Sequence, residues 1–334
     1  MNAFDTVHLL VPKEGLIGYD TDSFRTIAEL DADGNPIDTD QTQTLKARVE
    51  KPIGLSKVRI LERGVDLEFS AKLLRNRYVD GISIETVGEI APALRPILEL
   101  DADALLQATL YRIDSTVNIR PKSVKRAILA VASLGSLNGR YRVSDYGGAG
   151  EQGFTFHSRA KSVDERFIGY DKEREMWRHK TQAYILGVEN FGGVLRTESN
   201  IRHREQMRDF LGMVETYTFA DALNSKKNPN LILFDRITEN SIVTLAELHR
   251  INSTEGKGME YFKNIGIDTV IELYGGNWKA IEKHVRLRYR GKSNPVEALR
   301  KVRVRVALYH SRQTEAEQLL DEVSEVRELL SKVA

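Results

Sequence analysis

Apolar and polar residues alternate with a period of two through most of the first half of the chain, and shift to helical spacing in the last third. Val7-His-Leu-Leu-Val11 reads as a strand. Phe24–Glu29 and Thr44–Val49 flank Asp31-Ala-Asp-Gly-Asn-Pro36, a hairpin tip rather than a calcium loop, because its glycine comes too early and position twelve would be Thr42. Val58–Leu61 and Val65–Phe69 alternate across Arg63-Gly64 as a second hairpin. The spacing predicts a helix over Glu89–Leu100, a long strand over Ala104–Ile119 and a helix over Val124–Leu134. Strands are expected again at Phe154–Ser158, Arg166–Tyr170 and Val194–Ile201, with helices at Glu173–Leu186 and Arg204–Leu211. After about residue 215 the expected elements are helical: Ile242–Ile251, Met259–Ile265, Trp278–Arg288, Val296–Tyr309 and a last helix opened by a capping box at Thr314–Glu317. In that last helix Leu319, Val323, Val326, Leu330 and Val333 repeat over too few heptads for a coiled coil, so packing onto the chain's own domain is expected.

Strands first and helices later imply an α+β fold rather than a parallel βαβ sheet. The expected architecture is an antiparallel sheet with flanking helices over residues 1–215, followed by a helical domain over 216–334. The 334 residues suffice for one large domain or two ordinary ones. A hydrophobic fraction of 41% and a charged fraction of 29% describe a globular chain. No apolar run approaches the ~20 residues of a membrane span, and the opening Met-Asn-Ala-Phe-Asp-Thr-Val reads as a strand rather than a signal peptide, so a cytoplasmic protein without membrane contact is expected. The absence of cysteine removes disulfides, thiolate metal sites and cysteine nucleophiles.

The net charge of +1 hides an uneven distribution. Residues 1–50 hold ten acidic side chains against four basic ones. Residues 279–305 hold ten basic side chains against Glu282 and Glu297. A solvated helical face accounts for such a run by itself; a polyanionic partner is the sharper reading.

Three segments concentrate the candidate chemistry: Tyr111-Arg-Ile-Asp-Ser-Thr-Val-Asn118, Phe167-Ile-Gly-Tyr-Asp-Lys-Glu-Arg-Glu-Met176 and Val194-Leu-Arg-Thr-Glu-Ser-Asn200. Asp114 interrupts a strand pattern where aspartate is disfavoured, on the same face as Arg112 and Thr116. It suits either a hard divalent cation or an ion pair with Arg112. Glu198 and Arg196 likewise share a strand face. If the two strands are neighbours, Asp114 and Glu198 converge. Tyr170 ends a strand and is followed by Lys172 and Glu175; a phenol with an ordinary pKa near ~10 needs such a cation, or a metal, to act as a nucleophile.

Together and in this order, the three segments resemble the gene II/X replication initiators of filamentous phages and the related Rep_trans-type plasmid rolling-circle initiators. Tyr170-Asp-Lys172-Glu-Arg-Glu175 matches that family's Tyr-x-Lys-x-x-Glu, Arg112-Ile-Asp114 its Arg-Ile-Asp, and Arg196-Thr-Glu198 its Arg-x-Glu. Glu68-Phe-Ser-Ala-Lys72 is a weaker match. The likeness spans roughly residues 1–215, with an echo around Tyr261–Val285. It implies an origin-specific nicking and joining endonuclease that holds the 5′ end of one DNA strand on Tyr170. By the same resemblance Lys172 steadies phosphate or phenolate, Asp114 and Glu198 bind Mg²⁺ or Mn²⁺, and Glu175 completes the motif. Arg112 and Arg196 fall beside the DNA. The implied partners are origin DNA, single-stranded or supercoiled, with a host helicase, a polymerase and a second copy of the chain as further candidates.

In that setting Arg286, Arg288, Arg290 and Lys292 become candidate phosphate contacts, with Trp278 and Tyr289 available for stacking. One departure from better-known rolling-circle enzymes is the lack of a paired-histidine metal motif. His157, on the strand before Tyr170, is a candidate third ligand or a structural histidine. Tyr184 stands fourteen residues beyond Tyr170, too far for two closely spaced nucleophiles. The competing readings are a non-catalytic origin-binding protein of the same fold, a relaxase, and a protein whose charge pairs are all salt bridges.

Overall fold

The structure, a computed structural model, describes residues 3–27, 42–146, 153–160, 164–239, 267–288 and 295–333. The expected acidic hairpin tip, the glycine run at 147–150, the helices at Ile242–Ile251 and Met259–Ile265, and the residues Arg290 and Lys292 lie outside these.

Among the described residues twelve strands are formed: β1 Ala3–Pro12, β2 Leu16–Tyr19, β3 Phe24–Ile27, β4 Thr42–Leu45, β5 Leu55–Leu61, β6 Gly64–Ser70, β7 Leu98–Leu100, β8 Thr109–Ile119, β9 Tyr141–Asp145, β10 Gly153–Ser158, β11 Arg166–Asp171 and β12 Leu195–Ile201. Ten of them make one sheet in the order β3-β4-β5-β6-β1-β8-β12-β11-β10-β9, and β2 pairs with β7. Every pairing is antiparallel. The helices are α1 Ile90–Leu94, α2 Ala102–Leu106, α3 Val124–Ser136, α4 Lys172–Trp177, α5 Lys180–Ile185, α6 Arg204–Gln206, α7 Phe219–Leu223, α8 Pro229–Thr238, α9 (residues 267–273), α10 Trp278–Arg288 and α11 Pro295–Lys332. The α+β class and the large antiparallel sheet are as expected from the sequence.

Strand alternation splits the sheet into two unlike faces. Val7, Leu9, Leu67, Phe69, Ile113, Val117, Leu195, Phe167, Phe154 and Phe156 are buried on one of them, where α3, α8 and α11 cover the strands. Polar backbone and hydroxyl groups on this face find partners in α8: Asn230 donates to the Ser115 carbonyl at 3.2 Å and accepts from the Ser199 hydroxyl at 3.1 Å. The opposite face carries Thr6, His8, Asp66, Glu68, Arg112, Asp114, Asn118, Arg196, Glu198, Asn200 and Tyr170. An antiparallel sheet can keep one such polar face. This one gathers the candidate chemistry.

Several elements differ from the sequence expectation. Pro92 and Pro96 confine the expected Glu89–Leu100 helix to the short α1, and Leu98–Leu100 becomes β7. The front of the expected Ala104–Ile119 strand is α2, because Asp101 caps it by accepting from Ala104 N–H at 2.8 Å. The expected Glu173–Leu186 helix divides into α4 and α5. After α6, residues Met207–Leu211 close with the wider π-type turn. Thr314 opens no helix: α11 runs unbroken through it. The far end of α11 packs on the chain's own core as expected, with Val323, Val326 and Leu330 buried and Leu319 against them, while Val333 stays exposed. Phe219, Leu223, Leu233, Phe234 and Ile237, all beyond residue 216, join that same core.

Candidate functional site

Register brings the three sequence segments together. Strand β12 lies between β8 and β11, pairing Arg196 with Asn118 and with Tyr170, Glu198 with Thr116 and Ile168, and Asn200 with Asp114 and Arg166. Tyr170, Arg196, Glu198 and Asp114 therefore project from one face of three adjacent strands. Asp114 and Glu198 are two positions out of register rather than opposite one another.

Close approach around Tyr170 requires glycine. Gly153 is its partner on β10, and a Cβ there would come 2.3 Å from the Gly169 carbonyl oxygen and 2.6 Å from the Tyr170 Cβ. On the outer side the Tyr146 ring stacks on Tyr170, with centroids 4.4 Å apart and planes 18° from parallel. Tyr170 is consequently 3% exposed. Its hydroxyl donates to Glu198 Oε1 at 2.5 Å and accepts from Lys172 Nζ at 3.4 Å. Lys172 begins α4, whose N-cap Asp171 accepts from Arg174 N–H at 3.1 Å. This cap turns the chain at the end of β11 so that Lys172 bends back under the sheet, where it is buried and bound to Glu175 Oε2 at 2.6 Å. Glu175 thus has a definite task, to hold the ammonium beside the phenol.

Beneath this pair lies Arg196, with no exposed surface. Its Nε donates to Asn118 Oδ1 at 2.8 Å, and its Nη1 donates to Asp5 Oδ1 and to the Tyr78 hydroxyl, both at 2.9 Å. The guanidinium lies against the neighbouring rings of Tyr78 and Phe191, 4.7 and 5.3 Å from their centroids. Its Nη2 has no hydrogen-bond partner among the described residues. Asp5 reaches this position because β1 changes register between Phe4 and Thr6, a bulge that turns the extra side chain onto the polar face. Tyr78 comes from the segment Ala71–Asp80, in which Arg75 takes the left-handed φ of +53° that disfavours any side chain.

The electrostatics follow from placing these groups out of water. Burial, reinforced by the charge of Asp5, pushes the Glu198 carboxyl up to about 7 against the pull of Arg196 and Lys172. Burial and the neighbouring Glu198 raise the Tyr170 phenol well above its ordinary value. Burial, with the Arg196 charge, lowers Lys172. Burial works against ionisation of Asp5 too, but Arg196, Lys172 and the Tyr78 hydroxyl outweigh it and hold that carboxyl low. A phenol that cannot ionise alone is thus bonded to a carboxylate able to take its proton near neutral pH.

The other expected residues occupy different places. Arg112 pairs with Asp114 at 2.7 Å, which is the ion-pair reading of that aspartate, and Asn200 also bonds to it. Burial raises the Asp114 carboxyl. His157 is exposed and pairs with Arg166, four residues along β11 from Tyr170, or ~13 Å at strand rise. It takes no part in the site. Arg286 is exposed on α10 and bound to Glu282 at 2.8 Å; Arg288 ends the same helix.

A divalent cation needs several oxygen ligands converging on one point. Glu198 is engaged by Tyr170, Asp5 by Arg196 and Tyr78, and Asp114 by Arg112 and Asn200. No group of three or more His, Asp or Glu side chains among the described residues could hold a metal. The donor set does not fit a ready metal centre. Sequence reading missed Asp5, Tyr78 and Asn118, and held Tyr146 only as an alternative nucleophile beside Tyr184. Of these Asn118 was within reach, since it lies on the Asp114 face by simple alternation.

No protein-family model and no curated protein matches the chain. A solved structure described as a rolling circle replication initiator protein from Geobacillus stearothermophilus is similar over 79% of this chain and 95% of that one, at 12% sequence identity and a TM-score of 0.28. Among the described residues no helix is long and apolar enough to cross a membrane.

Proposed function

We propose that this chain is a rolling-circle replication initiator that nicks one DNA strand and retains its 5′ end on Tyr170. The observation that carries the reading is the Tyr170 hydroxyl donating to Glu198 at 2.5 Å with the Lys172 ammonium alongside. The motif resemblance suggests the reaction class; the geometry supports it with a phenol, a carboxyl bonded to it and a neighbouring ammonium.

Glu198 acts as the general base. Its carboxyl, pushed up to about 7, matches the pH at which it must accept the phenol proton. The Tyr170 oxygen then attacks phosphorus, the bond to the 3′ oxygen breaks, and that oxygen takes up a proton as the free 3′-OH. Energy of the phosphodiester is kept in the tyrosyl ester for rejoining. Lys172, beside the phenolic oxygen, offsets the growing negative charge, and the buried positive charge of Arg196 beneath it adds to that field. Glu175, Asp5 and Asn118 position these two cations. The Tyr146 ring covers Tyr170 and must leave before DNA can reach it.

The test incubates the protein with supercoiled and single-stranded DNA of its own replicon, with and without Mn²⁺ or Mg²⁺, for wild type and Tyr170→Phe. A nick with protein on the 5′ end, absent in the variant, is the expected result. Nicking that persists in Tyr170→Phe moves the nucleophile, with Tyr146 the next candidate because it stacks on Tyr170. Binding without a nick in any condition favours a non-catalytic origin-binding protein.

A further inference from the structure

Residues 267–309 build a second core apart from the sheet. Ile271 of α9, Ile281 and Val285 of α10, and Leu299, Val302 and Val306 of α11 are buried together, with Trp278 and Tyr309 at the margin. Helix α9 stops in a double-glycine turn. The Gly276 N–H donates to the Ile271 carbonyl and the Gly275 N–H to the Glu272 carbonyl, each at 2.9 Å, and both glycines take left-handed φ angles of +72° and +56°. A side chain at Gly276 would meet the His310 ring of α11 at 2.7 Å, so the turn is pressed against the third helix. Asn277 then caps α10 by accepting from Ala280 N–H at 3.3 Å. Arg305 of α11 forks onto Asp268 of α9 and fixes their relation. Two helices joined by a four-residue glycine turn and backed by a third have the element order of a helix-turn-helix unit.

The outward face of α10 is basic. Lys279, Lys283, Arg286 and Leu287 are exposed along one stripe at i, i+4, i+7 and i+8, opposite the buried Ile281 and Val285. Glu282 lies within the stripe but is bound to Arg286. The five residues line a shallow depression on the surface. Across 267–310 the chain carries ten Lys and Arg against four Asp and Glu. A helix ~10–12 Å across matches the ~12 Å width of the DNA major groove.

We propose that α9 and α10 form a helix-turn-helix unit whose second helix enters the major groove of duplex DNA, a binding surface distinct from the Tyr170 site and independent of the nicking reading. Lys279 and Lys283, in the first turns of α10, reach phosphates and base edges, and exposed Leu287 offers an apolar contact to a thymine methyl.

The experiment uses the full chain carrying Tyr170→Phe, so that binding is read without cutting. It is titrated by fluorescence anisotropy against a labelled 24-bp duplex of random sequence and the matching single strand, at 50–200 mM NaCl. Lys279→Glu/Lys283→Glu is expected to weaken duplex binding at least tenfold at 100 mM NaCl, and Lys279→Gln/Lys283→Gln to lower the log–log salt slope by about 2. The control Arg95→Glu/Arg126→Glu, two exposed arginines of the sheet domain, is expected to stay within twofold. Selection from a randomised duplex pool is expected to enrich a short motif that both α10 variants lose. Unchanged duplex affinity in the charge-reversed variant with native circular dichroism would overturn the proposal. So would an equal loss in the control pair, or an α10-dependent affinity no greater for duplex than for single strand.

Discussion

Replacing Glu198 by glutamine isolates the cost of keeping a carboxyl in this site. The amide oxygen can still accept from the Tyr170 hydroxyl, so geometry is preserved while the ionisable group is removed. In the folded protein the carboxyl titrates at about 7, against an ordinary 4.5. Between those pH values the folded chain holds a proton that the unfolded chain has released, so wild-type stability falls as pH rises through the window. The gap of about 2.5 pH units, at ~1.36 kcal/mol each, comes to about 3 kcal/mol. Glu198→Gln should lack this decline: equal to wild type in its pH response below about 4.5, and gaining about 3 kcal/mol on it by pH 7.5. Urea denaturation of both proteins at half-unit steps from pH 4.5 to 8 reads the difference directly. A difference between them that stays constant within ~0.5 kcal/mol over that range, or one that shrinks with rising pH, would refute the assignment of a raised carboxyl to Glu198.

Arg196→Met leaves Asp5 charged in a dry site and strips partners from Asn118 and Tyr78; a loss of about 3–5 kcal/mol in urea unfolding is expected, partly restored by adding Asp5→Asn, and a loss under ~1 kcal/mol would contradict the network. Tyr146→Ala removes the ring over Tyr170, so hydroxyl-radical footprinting should label Tyr170 several-fold faster; an unchanged rate would mean something else shields it. Gly153→Ala pushes a methyl against the Gly169 carbonyl and should cost about 1–3 kcal/mol, read as a drop in thermal midpoint. Leu330→Ala is expected to cost about 2–5 kcal/mol and Val333→Ala less than ~0.5, since only the former is enclosed; equal effects would remove the end of α11 from the core.

The sheet and its polar face were legible because strand alternation is a local property: the positions of Arg112, Asp114, Arg196 and Glu198 follow from counting by two. The motif order also placed Tyr170, Lys172 and Glu175 in one neighbourhood, though not the bond that makes Glu175 the keeper of Lys172. Asp5 was hidden by a bulge, since one extra residue reverses the facing of everything before it. Tyr78 was hidden by a strained turn at Arg75, and the stacking of Tyr146 on Tyr170 is a contact that sequence spacing does not encode. The helix expected over Glu89–Leu100 failed where two prolines outweighed its periodicity. The cap expected at Thr314 failed for the opposite reason: side chains suited to opening a helix are also tolerated inside one that tertiary packing continues.

The sequence distance between packed elements bears on how the fold forms. Strand β1 is the third residue onward, yet it sits between β6 and β8 in the middle of the sheet, and Leu330, near the other end, helps seal the apolar face. A folding chain must therefore join a central strand to its second neighbour, β8, about a hundred residues away, and its apolar surface stays open until α11 docks. Such contacts, distant in sequence, close slowly and leave sticky intermediates. Refolding from urea should show protease resistance of the sheet arriving in a slow phase that a Leu330→Ala variant slows further; resistance in a single fast phase would contradict this.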